Sequence, residues 1–195
     1  AEPDREQFYL GNQNPDALIG FSNTFSYKNI SFGFLIDARL GGEIFSGTNL
    51  ALQESGSAAV TAVNGQRNNI MVDAVVDDGS GNFSPNTVAV SPQQYWNAVA
   101  NVSGNLGISE ANVYDATNIR LRNISLDYVL PSNWLGNTGI QRAKFGVSAN
   151  NVWMIDSHLN GVDPESVFAT GGNATGFENL SPPTSRTVFF NVSIN

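Results

Sequence analysis

The sequence contains no cysteine, so neither a disulfide framework nor a thiolate metal site is available to it. Its one histidine, His158, falls short of the three or four nitrogen or sulfur ligands that zinc needs, and specifies no Ser-His-Asp triad. Asp73, Asp77 and Asp78 lack the spacing of a calcium loop and read as a solvated acidic stretch. These absences point away from an enzyme and from any cofactor. Charge is also scarce, at 13% of residues against the usual quarter or so. The net charge is −8 and no Lys/Arg cluster offsets it, which disfavours nucleic acid as a partner. No window approaches the roughly 18 unbroken apolar residues of a membrane-spanning helix, yet a spanning strand needs only ~9–11 alternating ones. Ala1 to Arg5 lacks the basic and apolar regions of a secretory signal. The alternatives are a cytoplasmic chain or a mature or partial product, and the periodicity described next favours the second.

What the sequence does have is alternation. In the last stretch, Val188, Phe190, Val192 and Ile194 share one parity, and Thr187, Asn191 and Ser193 the other, the two-residue period of a strand. Phe189 breaks the polar side. A strand at the end of the chain must find partners or leave an aggregation-prone edge, and barrel closure is one solution. Earlier, Ile19, Phe21, Phe25 and Tyr27 form one face of a first strand. Phe32, Phe34, Ile36, Ala38 and Leu40 form one face of a second, and Lys28-Asn29 is the short turn between them. The opposite face of the second strand carries Ser31, Gly33, Asp37 and Arg39. That set suits a wide aqueous lumen as well as it suits the solvated side of a half-exposed sheet.

The segment from Gly41 to Ala116 is too long for a structureless connection. Helices are expected from Leu50 to Ala59 and from Pro92 to Ala100, the latter with Ser91 as N-cap and Pro92 in its first position. Asp77 to Asn82 is a turn. Tyr95 and Trp96 sit on the second helix, where packing of the loop onto itself outweighs stacking against a ligand. A third strand, Thr117 to Leu130, changes phase: Ile124, Leu126, Tyr128 and Leu130 share a parity with Arg120 and Arg122, while Ile119 and Leu121 do not. Either a bulge or a strand end rising into a headgroup layer, where Arg can snorkel, would accommodate this. A fourth strand, Ile140 to Ile155, places Ala143, Phe145, Val147, Ala149, Asn151 and Trp153 opposite Arg142, Lys144, Gly146, Ser148 and Asn150. Two short connections at one end and two long loops at the other is the arrangement of an outer-membrane barrel, with Trp134 in the short turn where an interfacial aromatic belt would fall.

With those residues in place, the chain resembles the C-terminal part of the SusC/RagA-like TonB-dependent transporters of the Bacteroidota outer membrane. Gly11-Asn12-Gln13-Asn14-Pro15-Asp16 is similar to that family's Gly-Asn-Pro-Asn-Pro-Asp entry to a barrel strand. Asn23-Thr24-Phe25-Ser26-Tyr27-Lys28 and Phe34-Leu35-Ile36-Asp37 follow, the latter running to Gly41-Gly42. Then come Tyr114-Asp115-Ala116, Ile119 to Leu126, Leu130-Pro131, Asn150-Asn151-Val152-Trp153, Gly161-Val162-Asp163-Pro164-Glu165 and Pro183-Thr184-Ser185-Arg186. Each motif is weak alone; their order and spacing carry the resemblance across essentially the whole chain.

The resemblance implies a barrel of about 22 strands with a plugged lumen, a SusD-like surface lipoprotein partner, and energy from the TonB complex acting on a plug that this chain lacks. The substrate would be a glycan, oligosaccharide or peptide. The expected fold is therefore all-β. Residues 1–195 would form an antiparallel transmembrane barrel segment of about five strands (near 17–28, 30–41, 117–130, 140–155 and 186–195) with long extracellular loops over 42–116 and 156–184. Phe32, Phe34, Ile36, Phe145, Trp153 and Phe190 are expected to face outer-membrane lipid, with lipopolysaccharide outermost. Asp37, Arg39, Arg142, Lys144 and Asn150 are expected to face the lumen. Tyr95, Trp96, His158, Phe168 and Phe177 are the candidate loop contacts to substrate or partner. The rival is a soluble β-sandwich carbohydrate-binding module, in which the same aromatics would form a core.

Overall fold

The structure is a computed structural model that describes residues 8–62, 64–101, 107–136, 139–159, 161–167 and 174–195. The chain divides into two compact units: one of Ala1–Leu10, Phe45–Val113 and Phe177–Leu180, the other of Gly11–Ile44, Tyr114–Gly176 and Ser181–Asn195.

The second unit is built on a five-stranded antiparallel sheet. Its strands are β1 (Ala17–Tyr27), β2 (Ile30–Leu40), β3 (Asn118–Val129), β4 (Ala143–Ser157) and β5 (Thr187–Ile194). Their spatial order is their order in the chain, a meander. Alternation sets the register. Phe25 lies opposite Phe32, Phe32 opposite Leu126, Leu126 opposite Val147, and Val147 opposite Phe190, so one apolar row crosses all five strands. The turn from β1 to β2 is pinned to the neighbouring strand: Asn29 Nδ2 donates to the Val129 carbonyl at 2.7 Å, and Val129 N donates to the Asn29 carbonyl at 2.8 Å.

A bulge produces the phase change in β3. Leu35 pairs with Asn123 and the adjacent Ile36 with Leu121, which leaves Arg122 as an extra residue. Ile119 and Leu121 thereby rejoin the face of Ile124, Leu126 and Tyr128. A further irregularity in β4 lies opposite, between Asn150 and Trp153, where Asn151 takes a left-handed φ of 51°. Snorkelling is not needed to explain the arginines. The strand expected from Ile140 begins at Ala143, and Arg142 precedes it.

The two faces of this sheet differ in chemistry. On the apolar face Phe34 is ringed by Phe21, Phe25 and Phe32, with centroids at 5.8, 6.4 and 6.1 Å, and such pairs stabilise by roughly 0.5–1.5 kcal/mol each beyond their burial. Yet this face is uncovered: Phe190 is 81% exposed, Leu126 52% and Phe145 45%. A β-sandwich would bury those side chains against a second sheet. Beyond the strands the same unit has a small core of Ile44, Ala116 and Leu159, on which Tyr114, Val162 and Val167 pack.

The other unit holds the helices α1 (Gly47–Glu54) and α2 (Pro92–Val99). α1 starts three residues ahead of the expected Leu50, because Ser46 is its cap and accepts from Asn49 N at 3.1 Å. It ends where Gly56 turns into the left-handed region at φ 71°. At α2, Ser91 and Gln94 form a reciprocal capping box and Pro92 fills the first turn. Asp77 to Asn82 closes a hairpin between Val75–Asp77 and Phe83–Pro85. No helix among the described residues is long and apolar enough to cross a membrane, which says nothing of strands.

Candidate functional site

The polar face of the five-stranded sheet concentrates the charged and hydrogen-bonding side chains. Toward the short-turn end, Lys144 Nζ on β4 reaches Asp127 Oδ2 on β3 at 3.0 Å. Gly146 makes room for this pair, since a Cβ there would stand 2.3 Å from Asp127 Oδ1. In mid-sheet, Asn123 Nδ2 donates to Asn150 Oδ1 at 2.7 Å. Nearer the long loops, Arg122 donates through Nε and Nη2 to Asp37 Oδ2 on β2, at 2.9 and 2.6 Å. Arg39 donates to the Gln13 carbonyl at 2.7 Å.

A segment of the second long loop is clamped onto this face. Arg120 Nη2 lies 2.6 Å from Asp163 Oδ1, and Arg122 Nη1 donates to Glu165 Oε2 at 2.8 Å. Thr184 joins from the approach to β5, accepting from Arg120 Nη1 at 2.8 Å and donating its N–H to Asp163 Oδ2 at 3.0 Å. Burial by itself pushes the Asp163 carboxyl up. Hydrogen bonds from Arg120, Thr184 and the Glu165 and Thr184 backbone outweigh it and hold Asp163 well below the usual carboxylate range. Glu165 is also lowered, chiefly by its hydrogen bond from Arg122, against the opposing effect of burial. Two arginines thus balance three carboxylates in a fixed lattice of donors and acceptors. Such a lattice positions a loop and presents polar atoms; it has no unpaired nucleophile or base.

Of the residues expected on the polar side, Asp37, Arg39, Lys144 and Asn150 take part in these contacts. Arg142 does not: it is exposed, and its backbone pairs with Asn195, N to O at 3.0 Å and O to N at 2.9 Å. The expected loop contacts are scattered. Tyr95 and Trp96 are half-buried on α2, their rings edge-to-face at 5.1 Å. Phe177 stacks on Phe45 at 5.2 Å and 10°, beside a fully buried Glu178 that accepts from Ser46 Oγ at 2.8 Å and from Thr48 Oγ1. His158, just past β4, is exposed and pairs its Nδ1 with Asp115 Oδ2 at 2.6 Å. Burial raises the Asp115 carboxyl, but hydrogen bonds from Thr117 and His158 together bring it below its ordinary value. Phe168 lies outside the described residues.

Asp77 and Asp78 spend their carboxylates on the hairpin, accepting from Gly79 N at 2.9 Å and from Ser80 N at 2.8 Å respectively. Among the described residues no group of three or more His, Cys, Asp or Glu side chains could hold a metal ion. The Asp163 and Glu165 contacts were missed by reasoning from sequence. The available signal was the shared i, i+2 spacing of Arg120/Arg122 and Asp163/Glu165.

The five strands thus form an open, single-layer antiparallel sheet with one uncovered apolar face and one polar face bearing a clamped loop. The chain is similar to two TonB-dependent receptors: it is 31% identical over 191 residues to TonB-dependent receptor P3 of Formosa agariphila, and 28% identical over 190 residues to TonB-dependent receptor P26 of the same organism. These matches take in 95% of this chain but only 17% of each receptor, so the chain spans about one sixth of the length of the curated relatives it matches. Its fold matches a chain in the structure of the RagAB peptide importer in the 'closed-closed' state, with a TM-score of 0.56, 20% identity, and coverage of 93% of this chain and 17% of that one. The 'open-open' state gives a TM-score of 0.56 and 19% identity over the same shares. No protein-family model matches the chain.

Proposed function

We propose that this chain is the C-terminal wall segment of a SusC-like TonB-dependent outer-membrane transporter that imports glycans, oligosaccharides or peptides. The observation that carries the reading is the two-faced sheet. An apolar row crossing five strands and left uncovered is an aggregation hazard in water and a natural lipid-facing surface in a bilayer. Phe32, Phe34, Ile36, Phe145, Trp153 and Phe190 face the hydrocarbon. Asp37, Arg39, Lys144 and Asn150 line the lumen. The long loops lie outside the cell, toward lipopolysaccharide, where Tyr95, Trp96, His158 and Phe177 belong to segments that meet substrate or a SusD-like lipoprotein. The TonB complex acts through a plug contributed by another part of the receptor. The likeness to receptors named TonB-dependent and to a peptide importer supports this reading.

The test uses the whole receptor in outer membranes. Because this segment has no cysteine, single spin labels are introduced at Phe145, Leu126 or Phe190, and at Ser125 or Ser148. Labels of the first group should collide with oxygen dissolved in lipid and those of the second should not. Equal collision with a water-soluble nickel chelate at both groups would remove the lipid-facing assignment.

A further inference from the structure

We propose that Phe177–Leu180 is a latch. It fastens the second long loop to the start of α1 in the first, so that the two loops loosen together and neither opens alone. The latch is read from contacts inside one compact unit and rests on no transport step.

These four residues lie in the second long loop, yet they belong to the same unit as Phe45–Val113 of the first. Phe177 and Glu178 run parallel to Phe45 and Ser46, and the two phenylalanine rings stack at 5.2 Å. The centre of the contact is the fully buried Glu178, 132 residues downstream of Ser46. Its Oε2 accepts from Ser46 Oγ at 2.8 Å and from Thr48 N at 3.4 Å, and its Oε1 accepts from Thr48 Oγ1. Both hydroxyls work twice, since a hydroxyl donates and accepts through one oxygen. Ser46 Oγ takes the Asn49 N–H at 3.1 Å, which caps α1, and Thr48 Oγ1 takes the Leu180 N–H at 2.7 Å, which anchors the loop. One carboxyl group therefore orients the hydroxyls that hold both the helix cap and the loop. Gly47 permits the close approach: a Cβ there would stand 3.0 Å from the Glu178 carbonyl oxygen and 2.8 Å from Asn179 Oδ1.

Loops ordinarily open locally and independently, at the low end of a protein's free-energy range. Here the bonds of the two loops run through the same oxygens, so loosening one side withdraws the partners of the other. Such coupling is reciprocal: a change made in either loop must be felt in both.

Hydrogen exchange of the full receptor in detergent, read by mass spectrometry at single-amide resolution, tests this. In the wild type the Asn49 and Leu180 amides should both be protected. Phe177→Ala, made in the second loop, removes the ring stack but neither acceptor of those two amides. It should speed exchange at both by about tenfold. Glu178→Gln keeps the shape and loses one of the two acceptor oxygens, and it should also speed both. Amides of β2 report that the sheet is intact and should exchange as in the wild type. The proposal is overturned if the wild-type Leu180 amide exchanges at the rate of an unstructured chain. It is equally overturned if Phe177→Ala speeds Leu180 but leaves Asn49 unchanged, or if β2 loses protection to the same extent, since the contact would then belong to the whole fold and not to a separable latch.

Discussion

Arg120 on β3 and Asp163 in the second long loop meet at 2.6 Å with side chains only 4% and 8% exposed. The pair is nearly dry, so its members depend on each other. Asp163→Ala would leave the buried Arg120 guanidinium with only a 3.7 Å ion pair to Glu165, and should destabilise the receptor by up to about 3–5 kcal/mol. Replacing both, as Arg120→Met with Asp163→Leu, should recover much of that loss, because burying an ion pair gains little over burying apolar groups. Urea titration of the three proteins measures the difference, and a double variant no better than the single one would contradict it.

The same carboxylate sets a pH dependence. Asp163 and Glu165 have folded values below their ordinary ones. Their stabilisation is therefore fully present above the ordinary carboxylate range, about pH 4, and is lost as pH falls through it toward the lower folded values. The melting temperature should hold between pH 8 and pH 5 as far as these groups decide it, then fall below pH 4. Asp163→Asn should flatten the acid limb. An unchanged acid limb in that variant would show that other carboxylates control it.

Substitution should distinguish the two faces of the sheet. Phe34→Arg places a charge in the aromatic cluster of the apolar face and should cost about 2–4 kcal/mol if the site lies near the bilayer midplane. Ser31→Arg on the opposite face of the same strand should cost markedly less. Folding equilibria in lipid vesicles give both values, and equal costs would contradict a lipid-facing apolar side.

Gly146→Ala tests the packing of the polar face. The added Cβ would fall 2.3 Å from Asp127 Oδ1, so the carboxylate must move and its 3.0 Å pairing with Lys144 must loosen. Overpacking of this kind costs roughly 1–3 kcal/mol. Asp127→Asn in the same background, with no charge left to displace from Lys144, should show a smaller loss on adding the methyl group, which a double-mutant cycle reads directly.

Much of the antiparallel β architecture was legible in the sequence, because a strand's period of two is written in every residue. Phe32, Phe34 and Ile36, or Val188, Phe190 and Val192, can share a face only if the backbone is extended. The Ser91-Pro92 start of α2 was legible for a similar reason, since a cap acts within its own turn. Boundaries were less so: α1 begins at Gly47 rather than Leu50, and Arg142 lies outside β4.

The sequence by itself thus determined which side chains alternate and where the short turns fall. Only the tertiary structure decided between the readings that local pattern left open. The change of phase at Arg122 became a bulge because β2 and β4 fix the register on both sides of β3. Arg120 and Arg122 found Asp163 and Glu165 forty-three residues away, a pairing that no local rule encodes. Gln53, which no local pattern singles out, and Trp96, expected only as a loop contact, line one cavity where α1 packs near α2. Periodicity is a property of the backbone and survives in the sequence; complementarity between distant groups exists only once the chain has folded.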